Sequence, residues 1–279
     1  MKYFVVDAFT DELFKGNQAG VCLPDKWPDD ELMQKIAFEN NLSETAFVVK
    51  RKDHYDLRWF TPAVEVDLCG HATLASAYVV FNFVDKNASD IRFETKSGPL
   101  AVKKVGDLYE MDFPSRKPTP VALTAEMCKA IGADALEAHL SRDLVLLLEN
   151  EQQVRDLTPD FELIKQLGYF AVVVTAKGDE GGGLVLPKRS SCTTPSSGRV
   201  DFVSRFFTPG AGVPEDPVTG SAHSTLIPFW AERLGKDTMV AKQLSARGGT
   251  LFCENTNKQR VKIAGKAVLY LQGALSCKC

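Results

Sequence analysis

Two segments of the chain repeat one another in residue type and order, and both end in groups suited to holding an anion. Trp59-Phe60-Thr61-Pro62 leads through an irregular loop to Cys69-Gly70-His71-Ala72-Thr73, and Phe206-Phe207-Thr208-Pro209 leads through another to Asp216-Pro217-Val218-Thr219-Gly220-Ser221-Ala222. In each, a strand ends in Phe-Thr-Pro, and a glycine with a small polar residue opens an almost uncharged helix. Glycine at such an entry lets a ligand approach the backbone, while the free first-turn amides and the macrodipole attract negative charge. The helix after Gly70, rich in Ala72, Ala75 and Ala77, is expected to be buried on all sides, so its amides reach solvent only at a crevice. Two such helix starts facing each other would hold a carboxylate substrate between two lobes.

Other chemistries find little support. The seven cysteines (Cys22, Cys69, Cys128, Cys192, Cys253, Cys277, Cys279) are odd in number and contain no C-x-x-C, which suits reduced thiols in a cytosol and gives no zinc spacing. Gly181-Gly182-Gly183 is followed by Leu184-Val185-Leu186-Pro187, which cannot open a phosphate-binding helix, so residues 181–197 are expected to form a surface loop. Lys and Arg total 33 against 36 Asp and Glu, a net charge of -3 without a basic cluster, which argues against a nucleic-acid partner. Asp7 comes too early for a signal-peptide core. The longest uncharged apolar stretch, Cys69 to Val84, is shorter than the roughly 20 residues that span a bilayer, so it is expected to be a buried helix and the protein cytoplasmic, with no membrane partner.

The elements that must position these groups follow from patterning. Tyr3 to Phe9, Thr45 to Val49, Tyr55 to Phe60, Ile91 to Thr95, Leu100 to Val105 and Leu108 to Phe113 are short, rich in β-branched and aromatic residues, and read as strands. Pro28 and three acidic residues open an amphipathic helix that should end near Asn40-Asn41. Pro118 and Pro120 mark a linker. Helices then start at Thr124 and at Thr158-Pro159-Asp160, with strands at Leu144 to Leu148, Ala171 to Thr175, Val200 to Phe207, Leu251 to Glu254, Val261 to Ala264 and Ala267 to Leu271. Pro228 implies a kink or an early stop in the second repeat's helix. A chain of 279 residues allows two domains. The division expected is 1–117, with 265–279 packing back onto it, and 118–264.

Val6-Asp7-Ala8-Phe9-Thr10 with Gly16-Asn17-Gln18-Ala19, then Asn41-Leu42-Ser43-Glu44-Thr45-Ala46-Phe47, then Cys69-Gly70-His71-Ala72-Thr73, then Glu215-Asp216-Pro217-Val218-Thr219-Gly220-Ser221-Ala222 form an ordered set spread over the chain. In order and spacing it resembles the phenazine-biosynthesis isomerase (PhzF) family. The resemblance implies an α+β fold shared with diaminopimelate epimerase: two pseudo-symmetric lobes, each a mixed barrel-like sheet around a central helix. It also implies Glu44, His71 and Asp216 as catalytic residues, Gly70, Gly220 and Ser221 as substrate-binding residues, no metal or other cofactor, a small carboxylate substrate and a possible homodimer.

The residues at those positions have suitable chemistry. Glu44 stands at the entrance to an apolar strand, where desolvation would raise its pKa toward neutrality and suit it to accept and return a proton. His71 lies at a helix N-terminus, where the dipole favours the neutral imidazole. Asp216 could orient His71 or a substrate amine, and Ser221 with Gly220 supplies donors to a carboxylate. Related racemases use two opposed cysteines; here Cys69 matches the first and Pro217 is taken to match the second, which excludes a two-thiol mechanism and leaves Cys69 structural. His223 is a weaker candidate, and His54 and His139 read as surface residues. The expected activity is a cofactor-independent proton-shifting isomerisation. The alternatives are a racemase or epimerase pairing Glu44 with Cys69 or His71, and a binding protein that keeps the cleft.

Overall fold

The structure, a computed structural model, describes residues 1–179, 199–256 and 259–277; the expected loop at 181–197, with Cys192 and Cys279, lies outside the described residues. The elements run β1 (Lys2–Ala8), β2 (Asn17–Leu23), α1 (Asp30–Asn40), β3 (Glu44–Lys50), β4 (Tyr55–Phe60), β5 (Glu65–Val66), α2 (Gly70–Val79), β6 (Asp90–Thr95), β7 (Gly98–Val105) and β8 (Leu108–Pro114). There follow β9 (Thr119–Val121), α3 (Ala125–Ile131), β10 (Glu137–Leu140), β11 (Leu144–Leu147), α4 (Glu151–Asp156), α5 (Phe161–Gln166), β12 (Val172–Lys177) and β13 (Phe202–Thr208). The chain closes with β14 (Val213–Asp216), α6 (Gly220–Leu234), β15 (Thr238–Gln243), β16 (Gly249–Asn255), β17 (Arg260–Gly265) and β18 (Ala267–Ala274). It divides into two compact units, Met1–Asp112 with Ala264–Cys279, and Phe113–Ile263.

In the first unit, β1 pairs antiparallel with β18 and β2, and β2 runs parallel to β3, with α1 as the crossover. β3 is antiparallel to β4; β4 pairs antiparallel with β5 and parallel with β6, and β6, β7 and β8 continue antiparallel. The crossover from β5 to β6 is α2, which lies against β1, β2, β3 and β18. Every α2 residue except Tyr78 is buried, as its alanine-rich composition requires of a helix without a polar face. Its buried hydroxyls are satisfied internally: Thr73 donates to the Cys69 carbonyl at 2.5 Å and Ser76 to that of Ala72 at 2.7 Å. The stretch expected as one helix from Cys69 to Val84 ends in a π-helical turn over Val80–Val84.

In the second unit the pairings recur in the same order. β10 is antiparallel to β9 and β11, β11 is parallel to β12, and β12 is antiparallel to β13. β13 pairs antiparallel with β14 and parallel with β15, and β15 is antiparallel to β16. The residues expected as a linker around Pro118 and Pro120 are instead β9, joined to β10. Nor does Pro228 stop its helix: α6 runs on to Leu234. Proline leaves the Ser224 carbonyl without its helical donor, and the backbone N–H of Arg116 fills that vacancy at 2.9 Å.

Candidate active site

Glu44 opens β3 beside Ala19 of β2, and its carboxylate reaches the imidazole of His71 in the first turn of α2: Oε2 to Nε2 is 3.0 Å. The approach is off the N–H axis, so the contact is an ion pair more than a linear hydrogen bond. The other ring nitrogen, Nδ1, meets the Asn17 side-chain amide at 3.1 Å and the Cys69 sulfur at 3.6 Å. His71 is 5% exposed and Asn17 fully buried. Gly16 delivers Asn17 to this place: its φ is +65°, and a Cβ there would lie 2.1 Å from the Ala8 carbonyl oxygen, so no other residue makes the turn without strain.

Electrostatics tie the group together. Burial alone would lower the His71 pKa, but the adjacent Cys69 sulfur and Glu44 carboxylate outweigh it and hold the histidine well above its ordinary value. This reverses the expectation of a neutral imidazole, which weighed the helix dipole without the carboxylate. Burial pushes the Cys69 thiol up, and Glu44 adds to that. An imidazolium needs an acceptor at Nδ1, and a neutral ring protonated at Nε2 needs a donor there. An asparagine amide serves either by turning over.

Glu44, Cys69 and His71 also offer ligand-type atoms that all lie within 4.8 Å of one another, the one such metal-sized group among the described residues. As placed, Nδ1 is the ring nitrogen nearest the sulfur and Nε2 the one nearest the carboxylate.

In the second unit, Asp216, Gly220 and Ser221 gather at the start of α6. Thr219 donates its hydroxyl to Asp216 Oδ2 at 2.5 Å and its backbone N–H to Gln243 Oε1 at 2.9 Å. Gln243 in turn donates to the Asp216 carbonyl at 2.7 Å, and Ser245 to that of Pro217 at 2.7 Å. Ser221 Oγ accepts from Arg142 at 3.3 Å. A feature of both site helices is what they lack. The helices α1, α3, α4 and α5 are each N-capped by a side-chain oxygen, of Asp29, Thr124, Asn150 and Asp160, whereas α2 and α6 begin at Cys69 and Thr219 with no such cap.

These N-cap positions correct the expected alignment: the counterpart of Cys69 is Thr219, not Pro217. A 3₁₀ turn over Pro209–Ala211 lengthens the second loop and displaces the match. His223 is fully buried, with its Nδ1 donating to the Thr219 carbonyl at 2.9 Å, and burial lowers its pKa to about 4. His139, expected at the surface, is buried between Glu137 and the Phe229 ring. The roles of Asn17 and Arg142 escaped residue-type reasoning; only the Gly-Asn pair in the first motif hinted at the former.

This architecture is that of the mixed α+β fold of PhzF proteins and epimerases. A putative phenazine biosynthesis PhzC/PhzF protein from Clostridium difficile superimposes with a TM-score of 0.89 at 48% identity, covering 99% of this chain and 100% of that one. A predicted epimerase from Pseudomonas aeruginosa shares the fold at 18% identity, with a TM-score of 0.71 and 99% of each chain covered. The chain belongs to the phenazine biosynthesis-like (PhzC-PhzF) family, whose profile matches residues 6–273. Among its relatives, an uncharacterized isomerase of Pseudomonas aeruginosa is 48% identical over 272 residues, 98% of this chain and 97% of that one.

Proposed function

We propose that the protein is a cofactor-independent isomerase that moves a proton on a small carboxylate-bearing substrate, with Glu44 as the acid–base group. The observation that carries this reading is the Glu44–His71 pair, a carboxylate 3.0 Å from an imidazole whose pKa it raises. A carboxylate anion is the form that removes a proton from carbon, and His71 lies within ion-pair distance of this one. Once protonated, Glu44 can return the same proton to a second carbon of the same substrate, which shifts a double bond without any external donor. His71 orients the carboxylate and balances its charge. Cys69 and Glu44 touch the same ring, so within this unit they form one proton pool, which supports a single-base shift over an exchange between two opposed bases. With Glu44 and His71, Asp216 is assigned as catalytic, and Gly70, Gly220 and Ser221 are assigned to substrate binding.

The test is incubation with a panel of small cyclic and amino-acid-like carboxylates in D₂O, reading ultraviolet change and deuterium incorporation. Glu44→Gln should lower turnover of any active member by about 10²- to 10⁴-fold while preserving binding, and dialysis against EDTA should leave the rate unchanged. Undiminished turnover by Glu44→Gln would remove the glutamate from the mechanism; inversion of a stereocentre without double-bond movement would favour an epimerase.

A further inference from the structure

Arg142 sits in the short turn between β10 and β11 and is fixed on three sides. The buried carboxylate of Asp143 takes its Nε and Nη2 at 2.9 Å each, the Phe170 ring lies 5.0 Å from Cζ, and Nη2 also donates to Ser221 Oγ at 3.3 Å. Arg205 of the same unit shows what a purely structural arginine looks like here. Its Nε and Nη2 are spent on Glu215, and its Nη1 on the backbone carbonyls of Val154 and Leu157, leaving the side chain 11% exposed. Arg142 differs on both counts: its side chain is 35% exposed, and among the described residues its Nη1 has no acceptor. An arginine held rigid by a buried partner, with one edge of its fork unspent, has already lost the rotamer freedom that ligand binding would otherwise cost. The ring beneath it, Phe170, is 57% exposed.

We propose that Arg142 is a specificity-determining residue which, through Nη1 and together with Ser221 Oγ, binds a small carboxylate at the start of α6 and so selects acids over their neutral amides. This rests on the reading of the protein as a carboxylate isomerase, but its test reads binding instead of turnover. Asp143 does not cancel the role, because it takes Nε and one N–H of Nη2 and leaves Nη1 to a second acceptor, so a carboxylate can accept from Nη1 with one oxygen and from the Ser221 hydroxyl with the other.

The experiment titrates the full chain with benzoate, anthranilate and L-proline, each beside its amide, following the arginine side-chain ¹⁵N–¹H resonances and the dissociation constant. The expected result is that at least one acid shifts the Arg142 resonances while its amide does not. Arg142→Gln should weaken that acid about tenfold or more, and Arg142→Lys should recover part of the loss. Ser221→Ala, which leaves the Arg142–Asp143 pair intact, should weaken it about threefold, a size set by loss of one hydrogen bond. Acid and amide binding alike, equal acid binding by wild type and Arg142→Gln, or binding of none of the three acids would overturn the proposal. Glu44→Gln is expected to bind the acid normally: turnover surviving that substitution sinks the isomerase reading alone, whereas acid binding indifferent to Arg142 sinks only the present inference.

Discussion

At the start of α2, Arg58 of β4 grips Glu65 of β5 through Nε and Nη2 at 2.7 and 2.8 Å; at the start of α6, Arg205 of β13 grips Glu215 of β14 at 2.7 and 2.9 Å. Each guanidinium also stands 5.1 Å from the ring two residues on, Phe60 or Phe207. In each helix the residue four past the N-cap, Thr73 or His223, donates to the N-cap carbonyl. The framework is thus repeated down to its ion pair, while the groups it displays are not. One helix start presents a carboxylate, an imidazole and a thiol; the other presents a hydroxyl and an arginine. The repeated framework is a rigid way to expose first-turn amides, and on the function proposed above the few side chains that differ divide proton handling from anion handling.

The largest expected effect comes from erasing that division. His71→Ser gives α2 the residue that α6 carries at the matching position, and it removes the partner of Glu44. Turnover should fall by about 10²- to 10⁴-fold, the range for loss of an acid–base group, with thermal stability changed little by comparison. Ser221→Ala should cost only about threefold, mostly in KM, because a single neutral hydrogen bond is lost. Steady-state kinetics on both variants decide the matter: equal losses in kcat would mean that the two helix starts are not specialised as described.

The i+4 residues give the next contrast. Folded His223 is neutral, with a pKa of about 4, whereas the unfolded residue titrates near its model-peptide value of 6.5. Its contribution to stability is therefore complete above pH 6.5 and is lost as pH falls toward 4, by up to about 3 kcal/mol from a shift of that size. In His223→Gln, which keeps a donor for the Thr219 carbonyl, urea denaturation from pH 7 to pH 4 should lack that part of the acid destabilisation. Thr73→Val, the change at the matching place in α2, should show none of this pH dependence. Smaller again are the ion pairs: Arg58→Met and Arg205→Met should each cost about 2 kcal/mol, below the range for fully buried pairs because Glu65 and Glu215 keep partial solvent access. Unequal losses would break the claim that the two frameworks are equivalent.

Much of this was legible in residue order. The β-branched runs became strands within three residues at either end, and α1 begins after Asp29, whose side chain caps Leu32, as its acidic first turn suggested. What escaped was information that resides in another part of the chain. β2 reads Asn17-Gln18-Ala19-Gly20-Val21-Cys22-Leu23, too small and too poorly alternating to announce a strand that is buried on both faces. The reach of α6 past Pro228 depended on Arg116, more than a hundred residues earlier, supplying a donor. The state of His71 depended on Glu44, which local helix-dipole reasoning omits. The Thr219–Cys69 match was hidden by a 3₁₀ turn whose insertion shifts a count of residues but not the register of the arginine–glutamate pair.

The last prediction probes the amide beside the α2 site, which can serve both states of a histidine. Asn17→Leu keeps the volume and removes the partner of Nδ1, while the ion pair with Glu44 is left in place. A role confined to packing would appear as lost stability with unchanged chemistry. A role in proton handling would instead lower kcat about tenfold at constant KM, in line with one hydrogen bond to a charged group, and would change the ¹⁵N shifts that report the His71 tautomer. Asn17→Asp makes the opposite perturbation, since a carboxylate can accept from Nδ1–H but cannot donate to it. It should raise the His71 pKa further and extend the protonated form to higher pH. If the ¹⁵N shifts and the pH profile are the same in both variants as in wild type, the amide does not govern the ring, and the group reduces to Glu44, His71 and Cys69.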